Sequence, residues 1–490
     1  MSGSTQPESA SRPRAAIIGG GIAGLAAAHR LHSLRPDVEL RLLERSSRLG
    51  GPLDTVRRDG WLVERGADSF TTKLPEAIAL CRELGIAEQI VGTNSEHRRA
   101  LVVRDGRLLP TPEGFVLMRA NTIGGVLKSR ALSWPGKLRL LAEPLVRVPA
   151  TVRQPGYDES VASFATRRLG REAFERLVQP LLAGIYVADA ERLSLAATMP
   201  EFLAAEREHG SLTRAAWRRL VRRTTQSESP STDELAHGAR YGLFVSLQGG
   251  LGELIDAIAA ALPGGTVQRE TSVERLARNE DGSWRLALAG AGRDLVGTVA
   301  AVILEDQAPL GAQLLETTDV MVVRLVGRIR CASSAVVGLG FRREHLAHAL
   351  DGFGFVVPAI ERMALVAGSF ASVKYPGRVP EECVHLRAFV GGALAPELVD
   401  RDDAELVATV RRELDRLLGL RGEPLWSDVA RWRDAMPQYD VGHVQLVEAI
   451  EARTTALAGL ALAGNAYRGV GIPQCIASGR AAAERLAALR

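Results

Sequence analysis

The chain alternates between short apolar runs closed by glycine and longer stretches whose apolar residues recur every three to four positions. Ala15-Ala16-Ile17-Ile18 is the first such run. Four apolar residues in succession predict a strand buried on both faces, as in a parallel sheet. An alanine-rich amphipathic stretch then predicts a helix, and residues 38–43 a second strand. Spacing near 3.6 predicts two helices within 158–186, a helix over 207–223 with one basic face, and an amphipathic helix over 402–418. Residues 247–262 read as a helix opened by glycine, and 476–489 as the last helix. Val267 and the segments 271–276, 284–288, 300–304 and 461–465 predict strands. Alternation in 335–341, 354–357 and 385–390 predicts a second sheet. The first fourteen residues are polar and predict a disordered lead-in, and 226–233 (QSESPSTD) a polar loop.

The turn between the first strand and its helix carries chemistry. Gly19, Gly21 and Gly24 hold the G-x-G-x-x-G spacing, with Gly20, Ile22 and Ala23 between them. The first glycine makes the tight turn, the second lets backbone approach a pyrophosphate, and the third lets helix and strand pack closely. The helix N-terminus offers unpaired N–H groups to phosphate. The second strand ends at Glu44, twenty residues after Gly24, where a carboxylate accepts hydrogen bonds from a ribose diol. Arg45, Arg48, Gly50 and Gly51 extend this to E-R-x-x-R-L-G-G, a continuation that separates FAD-binding from NAD-binding units.

A length of 490 residues predicts two or three domains. A formal net charge of only +4 and 5% aromatic residues exclude nucleic acid as a partner. Cys81, Cys331, Cys383 and Cys475 form no C-x-x-C pair, which points to a reducing compartment and no metal. His345 and His348 have no third ligand nearby. The lead-in lacks the apolar core of a signal peptide, and no apolar run is long enough to span a bilayer. The expected location is therefore the cytoplasm, with a membrane surface still available to residues 96–153. There, arginines and lysines greatly outnumber acids and interleave with apolar clusters such as 115–118 and 138–145. That pattern suits an interfacial segment, with Trp134 at headgroup level, and equally a helical subdomain with a solvated basic face.

After R-L-G-G comes VERGADSF (63–70), then ESVASFATRRLGREAFERLVQPLLAGIY (159–186), LQGGLGEL (247–254), DGFGFVVP (351–358), MPQYDVGH (436–443) and AGNAYRGVGIPQCIAS (463–478). In this order they resemble the oxygen-dependent protoporphyrinogen/coproporphyrinogen oxidases of haem synthesis, within the flavin amine-oxidase and phytoene-desaturase group. The resemblance implies an α/β fold with a discontinuous Rossmann-like FAD-binding domain (15–95, 245–305 and 436–490). It also implies a mixed α+β substrate domain (96–101, 205–244 and 306–435) and a helical, membrane-associating subdomain (102–204). It places the flavin ring against Gly66, Ala67, Asp68 and Ser69, and the adenine against the backbone of Val273. Trp432 falls near the ring, and Val470, Gly471 and Ile472 at its O2/N1 edge. Arg99, beside Arg98, matches the family's propionate anchor. Alternation makes Val337, Leu339, Phe355 and Phe389 expected pocket-wall residues, with ordinary sheet core as the competing reading.

Two departures stand out. Glu305-Asp306 replaces the small residue and threonine that end the corresponding strand, and Pro52 follows R-L-G-G. No Ser-His-Asp set, paired catalytic carboxylates or nucleophilic cysteine signature is present, so no catalytic residue is assigned. The implied reaction is flavin-dependent, six-electron oxidation of a porphyrinogen by O2 with release of hydrogen peroxide. Expected partners are the porphyrinogen, O2, a membrane surface, a second copy of the chain, or the downstream haem-pathway enzyme. An amine oxidase or desaturase using Lys73 or Lys374, or an inactive FAD-binding chaperone, stays open. So does the choice between protoporphyrinogen and coproporphyrinogen.

Overall fold

The computed structural model describes residues 12–225, 243–292, 297–305 and 307–488. The lead-in through residue 11, the loop 226–233 and Asp306 lie outside the described residues. A five-stranded parallel sheet is built from distant parts of the chain, in the order Val267–Gln268, Glu39–Leu43, Arg14–Ile18, Ala301–Glu305 and Leu460–Ala463. Ile17 lies opposite Leu42 and Ile303, and all three are fully buried, as the two-sided apolar run requires. Helices Ile22–Leu34 and Ile472–Ala487 pack together beside this sheet. A methyl group at Gly479 would sit 2.0 Å from the carbonyl oxygen of Ala23, so the close approach of the helices at that point needs glycine. The last helix starts four residues earlier than its periodicity predicts. Pro473 occupies its first turn, where an N–H would have no partner in any case.

A second sheet has seven strands in the order Trp426–Pro437, Cys331–Arg342, Cys383–Gly391, Leu365–Phe370, Gly354–Val356, Ala100–Arg104 and Arg107–Pro110. Its two faces differ by strand parity. Val337, Leu339, Leu386, Ala388 and Phe355 share one core with Leu406, Val410 and Leu414 of helix Asp403–Leu418. Asp402 caps that helix, accepting from Glu405 N–H at 2.8 Å. The other parity carries Val336, Gly338, His385, Arg387 and Phe389, and Arg387 reaches the dinucleotide domain. Because Arg107–Pro110 continues this sheet, the helical unit begins after it rather than at residue 102.

The helical unit centres on Val161–Leu169 and Gln179–Tyr186, joined through a π turn at Phe174–Val178. The single helix predicted over 207–223 is two, Pro200–His209 and Leu212–Thr225. Gly210 at φ +68° turns the chain between them. The second of these packs here through Leu212, not with the seven-stranded sheet. Its interior holds charge: fully buried Arg168 pairs with Glu143 and lies 3.4 Å from Glu206. Glu143 also accepts from Ser211 Oγ (2.6 Å) and the amides of Leu212 and Thr213 (3.0 and 3.1 Å). A carboxylate at the start of Leu212–Thr225 meets the positive end of that helix. Burial pushes the Glu143 carboxyl up, but these donors and Arg168 outweigh it and hold it below its ordinary value. Part of the basic composition of 96–153 is therefore structural. Arg139 likewise donates to the carbonyls of Arg167 and Arg168 at the end of a helix.

Candidate dinucleotide and flavin site

The glycine turn is held by its neighbours. Gly19 N–H donates to Leu43 O (2.9 Å), and Gly50 N–H donates to Gly20 O (2.8 Å), docking R-L-G-G beneath the turn. Gly50 and Gly51 take φ of +95° and +54°, a double left-handed turn that favours glycine. A methyl at Gly24 would lie 2.1 Å from Gly19 O, the close helix–turn packing its spacing anticipates. Glu44 ends its strand with its carboxylate at the turn. Its Oε2 accepts from Gly20 N–H (2.8 Å), and its Oε1 accepts from Ser46 N–H and Oγ (2.8 and 2.7 Å). Thr271 N–H donates to Glu44 O at 2.9 Å, which puts Val273 within two residues of the acid-bearing strand end. Ile22 and Ala23 form the buried first turn of the helix, and Arg45 is exposed.

The next amide along the turn also holds a carboxylate. Gly21 N–H donates to Glu305 Oε2 at 3.0 Å. Added methyls at Gly19 and Gly21 would fall 2.6 and 2.5 Å from Glu305 carboxylate oxygens. The acid that departs from the resembled pattern thus lies over the glycine turn itself.

The predicted flavin corner follows strand Trp61–Glu64. A methyl at Gly66 would lie 2.0 Å from Pro52 O, and Ala67 N–H donates to that same oxygen at 3.0 Å. Pro52 therefore serves through its carbonyl. Trp432 Nε1–H donates to Arg65 O (2.9 Å), and the Arg48 guanidinium stands 5.5 Å from the Trp432 ring centre, so these two predicted residues are neighbours. Glu64, buried, accepts from Thr55 Oγ (2.6 Å) and Leu251 N–H (2.8 Å), which joins the VERG and LQGGLGEL blocks. Burial pushes the Glu64 carboxyl up. Asp68 lies between Lys374 Nζ (2.8 Å) and Arg387 Nη1 (2.9 Å), and Arg387 also donates to Gly66 O. Burial alone would raise the Asp68 carboxyl, but the two cations outweigh it and hold it well below the carboxylate range. Lys374 also donates to Ser69 Oγ at 3.1 Å.

The C-terminal loop is latched by a residue the sequence reading passed over. Buried Tyr439 donates to Asn465 O (2.5 Å), accepts from Gly469 N–H (2.8 Å) and stacks on His443 with ring centres 3.9 Å apart. This sets Gly471 as the cap of the last helix and Ile472 as its first residue, while Val470 packs against the helical unit. Burial pushes the Cys475 thiol up to about 12, so it stays protonated.

This arrangement, a parallel sheet with a glycine turn and acid at its carboxyl edge beside a second sheet, matches known proteins. The sequence profile described as flavin containing amine oxidoreductase matches residues 22–487. The chain belongs to that family. FAD is its cofactor. The chain is 32% identical to a coproporphyrinogen III oxidase of Bacillus subtilis, over 95% of this chain and 96% of that one. It is 29% identical to a chloroplastic/mitochondrial protoporphyrinogen oxidase of Arabidopsis thaliana, over 98% and 94% respectively. Among solved structures, a putative protoporphyrinogen oxidase from Exiguobacterium superposes with a TM-score of 0.85 at 30% identity, covering 98% of this chain and all of that one. A reduced UDP-galactopyranose mutase superposes at 0.70 with 15% identity over 98% of this chain and 96% of that one, a likeness of fold alone.

For this flavoprotein the glycine turn, Glu44, the Gly66 corner and the latched loop have the chemistry to hold FAD, while the Glu305 carboxylate takes up the Gly21 amide that a diphosphate would use. The expected pocket walls need correction. Val337, Leu339 and Phe355 are 0%, 0% and 2% exposed and face the helix Asp403–Leu418. The parity that meets the flavin corner carries Val336, Arg387 and half-buried Phe389 instead. Arg99 is not an unpaired cation. Its guanidinium is paired with the Asp351 carboxylate and donates to the Asp351 carbonyl. Lys374 enters the sequence reading only as a candidate amine-oxidase lysine, and Arg387 and His385 escaped prediction as site residues. The signal for these two was available as polar residues alternating with Leu386, Ala388 and Val390.

Proposed function

We propose that this flavoprotein oxidises a porphyrinogen to the porphyrin in haem synthesis, with coproporphyrinogen III the first candidate. The observation that carries this reading is full-length similarity to enzymes named for that activity, the bacterial ones for coproporphyrinogen III. FAD, when bound, supplies hydride acceptance and hands the electrons to O2. Each two-electron round consumes one O2 and releases one hydrogen peroxide, so six electrons require three rounds. The chain's own residues position the substrate rather than exchange protons with it. Around the flavin corner the ionisable side chains Asp68, Lys374 and Arg387 are tied to each other. Val336 and Phe389 on the sheet, with Val356 and Val470 against the helical unit, offer an apolar wall. Arg99, at the edge of the same sheet, supplies a cation for a propionate once Asp351 yields it.

The helical unit is also read as a membrane-facing surface. Among the described residues no helix is long and apolar enough to cross a bilayer. Ile123, Trp134, Leu138, Leu145 and Trp217 are nonetheless exposed, between 63% and 81%. Trp134 and Leu138 are one helical turn apart, and Lys137 Nζ lies 4.4 Å from the Trp134 ring centre. Apolar rings among cations suit an anionic lipid surface.

The deciding experiment compares kcat/KM for coproporphyrinogen III, protoporphyrinogen IX and a panel of primary amines under air, following porphyrin fluorescence and peroxide. Porphyrin formation with about one peroxide per two electrons supports the proposal; peroxide from amines alone replaces it with an amine oxidase.

A further inference from the structure

We propose that Glu305 is an internal competitor for the flavin diphosphate, so that FAD enters only as this side chain leaves the glycine turn. The inference rests on FAD binding at that turn. Three observations carry it. Glu305 Oε2 accepts from Gly21 N–H at 3.0 Å, and that glycine caps the helix Ile22–Leu34. Ideal methyls on Gly19, Gly21 and Gly24 would all fall 2.5–3.2 Å from its carboxylate oxygens, so the acid fills the space those glycines keep open. Glu44 holds the adjoining amide, that of Gly20, at 2.8 Å. Consecutive amides of one turn are thus each satisfied by a carboxylate.

A helix N-terminus with free N–H groups attracts anions, and one anion there discourages a second. The Glu44 carboxylate occupies the place assigned to ribose recognition and is compatible with the dinucleotide. The Glu305 carboxylate occupies the phosphate's place and is not. Its strand is fixed on both sides, by Arg14–Ile18 and Leu460–Ala463, so the backbone cannot retreat and the side chain must rotate. Binding therefore exchanges one anion for another on the Gly21 amide.

The test is titration of flavin-stripped protein with FAD, ADP and adenosine, comparing the native chain with Glu305→Ala and Glu305→Gln. Both variants are expected to bind FAD and ADP at least about tenfold more tightly, with slower FAD dissociation, while adenosine binding is unchanged. Glutamine retains the size of glutamate, so its effect isolates the charge. FAD and ADP affinities no tighter than native in both variants would overturn the proposal, as would adenosine tightening in step with ADP. Failure of native and variant chains alike to bind FAD or ADP would overturn it together with the flavin site.

Discussion

Asp68 and Arg387 are ion-paired at 2.9 Å across the seam between the flavin corner and the seven-stranded sheet. Arg387 is 2% exposed and also donates to Gly66 O. Removing one member of a buried pair costs most where the other is left without a counter-ion, and Asp68 keeps Lys374 at 2.8 Å.

Arg387→Ala should accordingly cost about 1–3 kcal/mol in urea unfolding and weaken FAD uptake, because Gly66 loses its donor and Asp68 one of its two cations. Arg387→Lys should recover part of the stability but less of the FAD affinity, since an ammonium cannot serve both acceptors in one plane. Equal FAD affinity in all three proteins would show that this seam does not shape the flavin corner.

His385 predicts acid sensitivity. Burial pushes its imidazole down from 6.5 to about 3, so the folded chain holds it neutral. Its contribution to stability is complete above the unfolded value of 6.5 and fades as pH falls toward 3. The loss reaches about 2 kcal/mol at pH 5. His385→Leu should flatten the difference between urea unfolding at pH 7 and at pH 5 by a similar amount. An unchanged difference would mean that another group controls acid lability.

In the helical unit, Glu143→Ala leaves Arg168 with Glu206 as its carboxylate partner and strips the first amides of Leu212–Thr225 of their acceptor. It should destabilise by about 3–5 kcal/mol. Limited proteolysis should then cut first between residues 110 and 225, while the isolated flavin signal persists. Cleavage spread evenly along the chain would indicate that the helical unit does not unfold by itself.

Arg99→Ala should raise KM for the porphyrinogen clearly more than it lowers kcat, the sign of uniform binding lost. The Asp351 pairing adds a second expectation: Asp351→Asn frees the guanidinium and should lower KM. If neither variant moves KM, the propionate is held elsewhere.

Trp134, Leu138 and Trp217 are exposed apolar side chains of the helical unit read as lipid-facing. Changing all three to Ser should abolish co-sedimentation with vesicles rich in phosphatidylglycerol, leaving turnover of dispersed substrate intact. Native protein that ignores such vesicles at low salt would remove the membrane role.

Much of this was legible from sequence because it depends on local pattern. The run 15–18, the glycine spacing and Glu44 specify strand, turn and strand end through backbone geometry alone, and the structure puts them together. The parity of the second sheet was harder. Val337 and Leu339 alternate correctly, yet alternation does not say which face meets the flavin and which meets the helix at 403–418. The buried pair of Arg168 and Glu143 leaves no local pattern, because it links positions 25 residues apart. Glu305 was visible as an oddity, but its contact with Gly21 spans 284 positions and needs the folded sheet.

The order of the five-stranded sheet has a consequence for biosynthesis. Its outermost strand, Leu460–Ala463, and the helix that closes the cradle are the last of its parts to leave the ribosome. The nascent polypeptide cannot hold its nucleotide in that cradle until then, and the earlier strands must wait, collapsed but incomplete, through most of translation. Prosthetic-group capture thereby waits on these two elements, and chains truncated before them should not acquire colour.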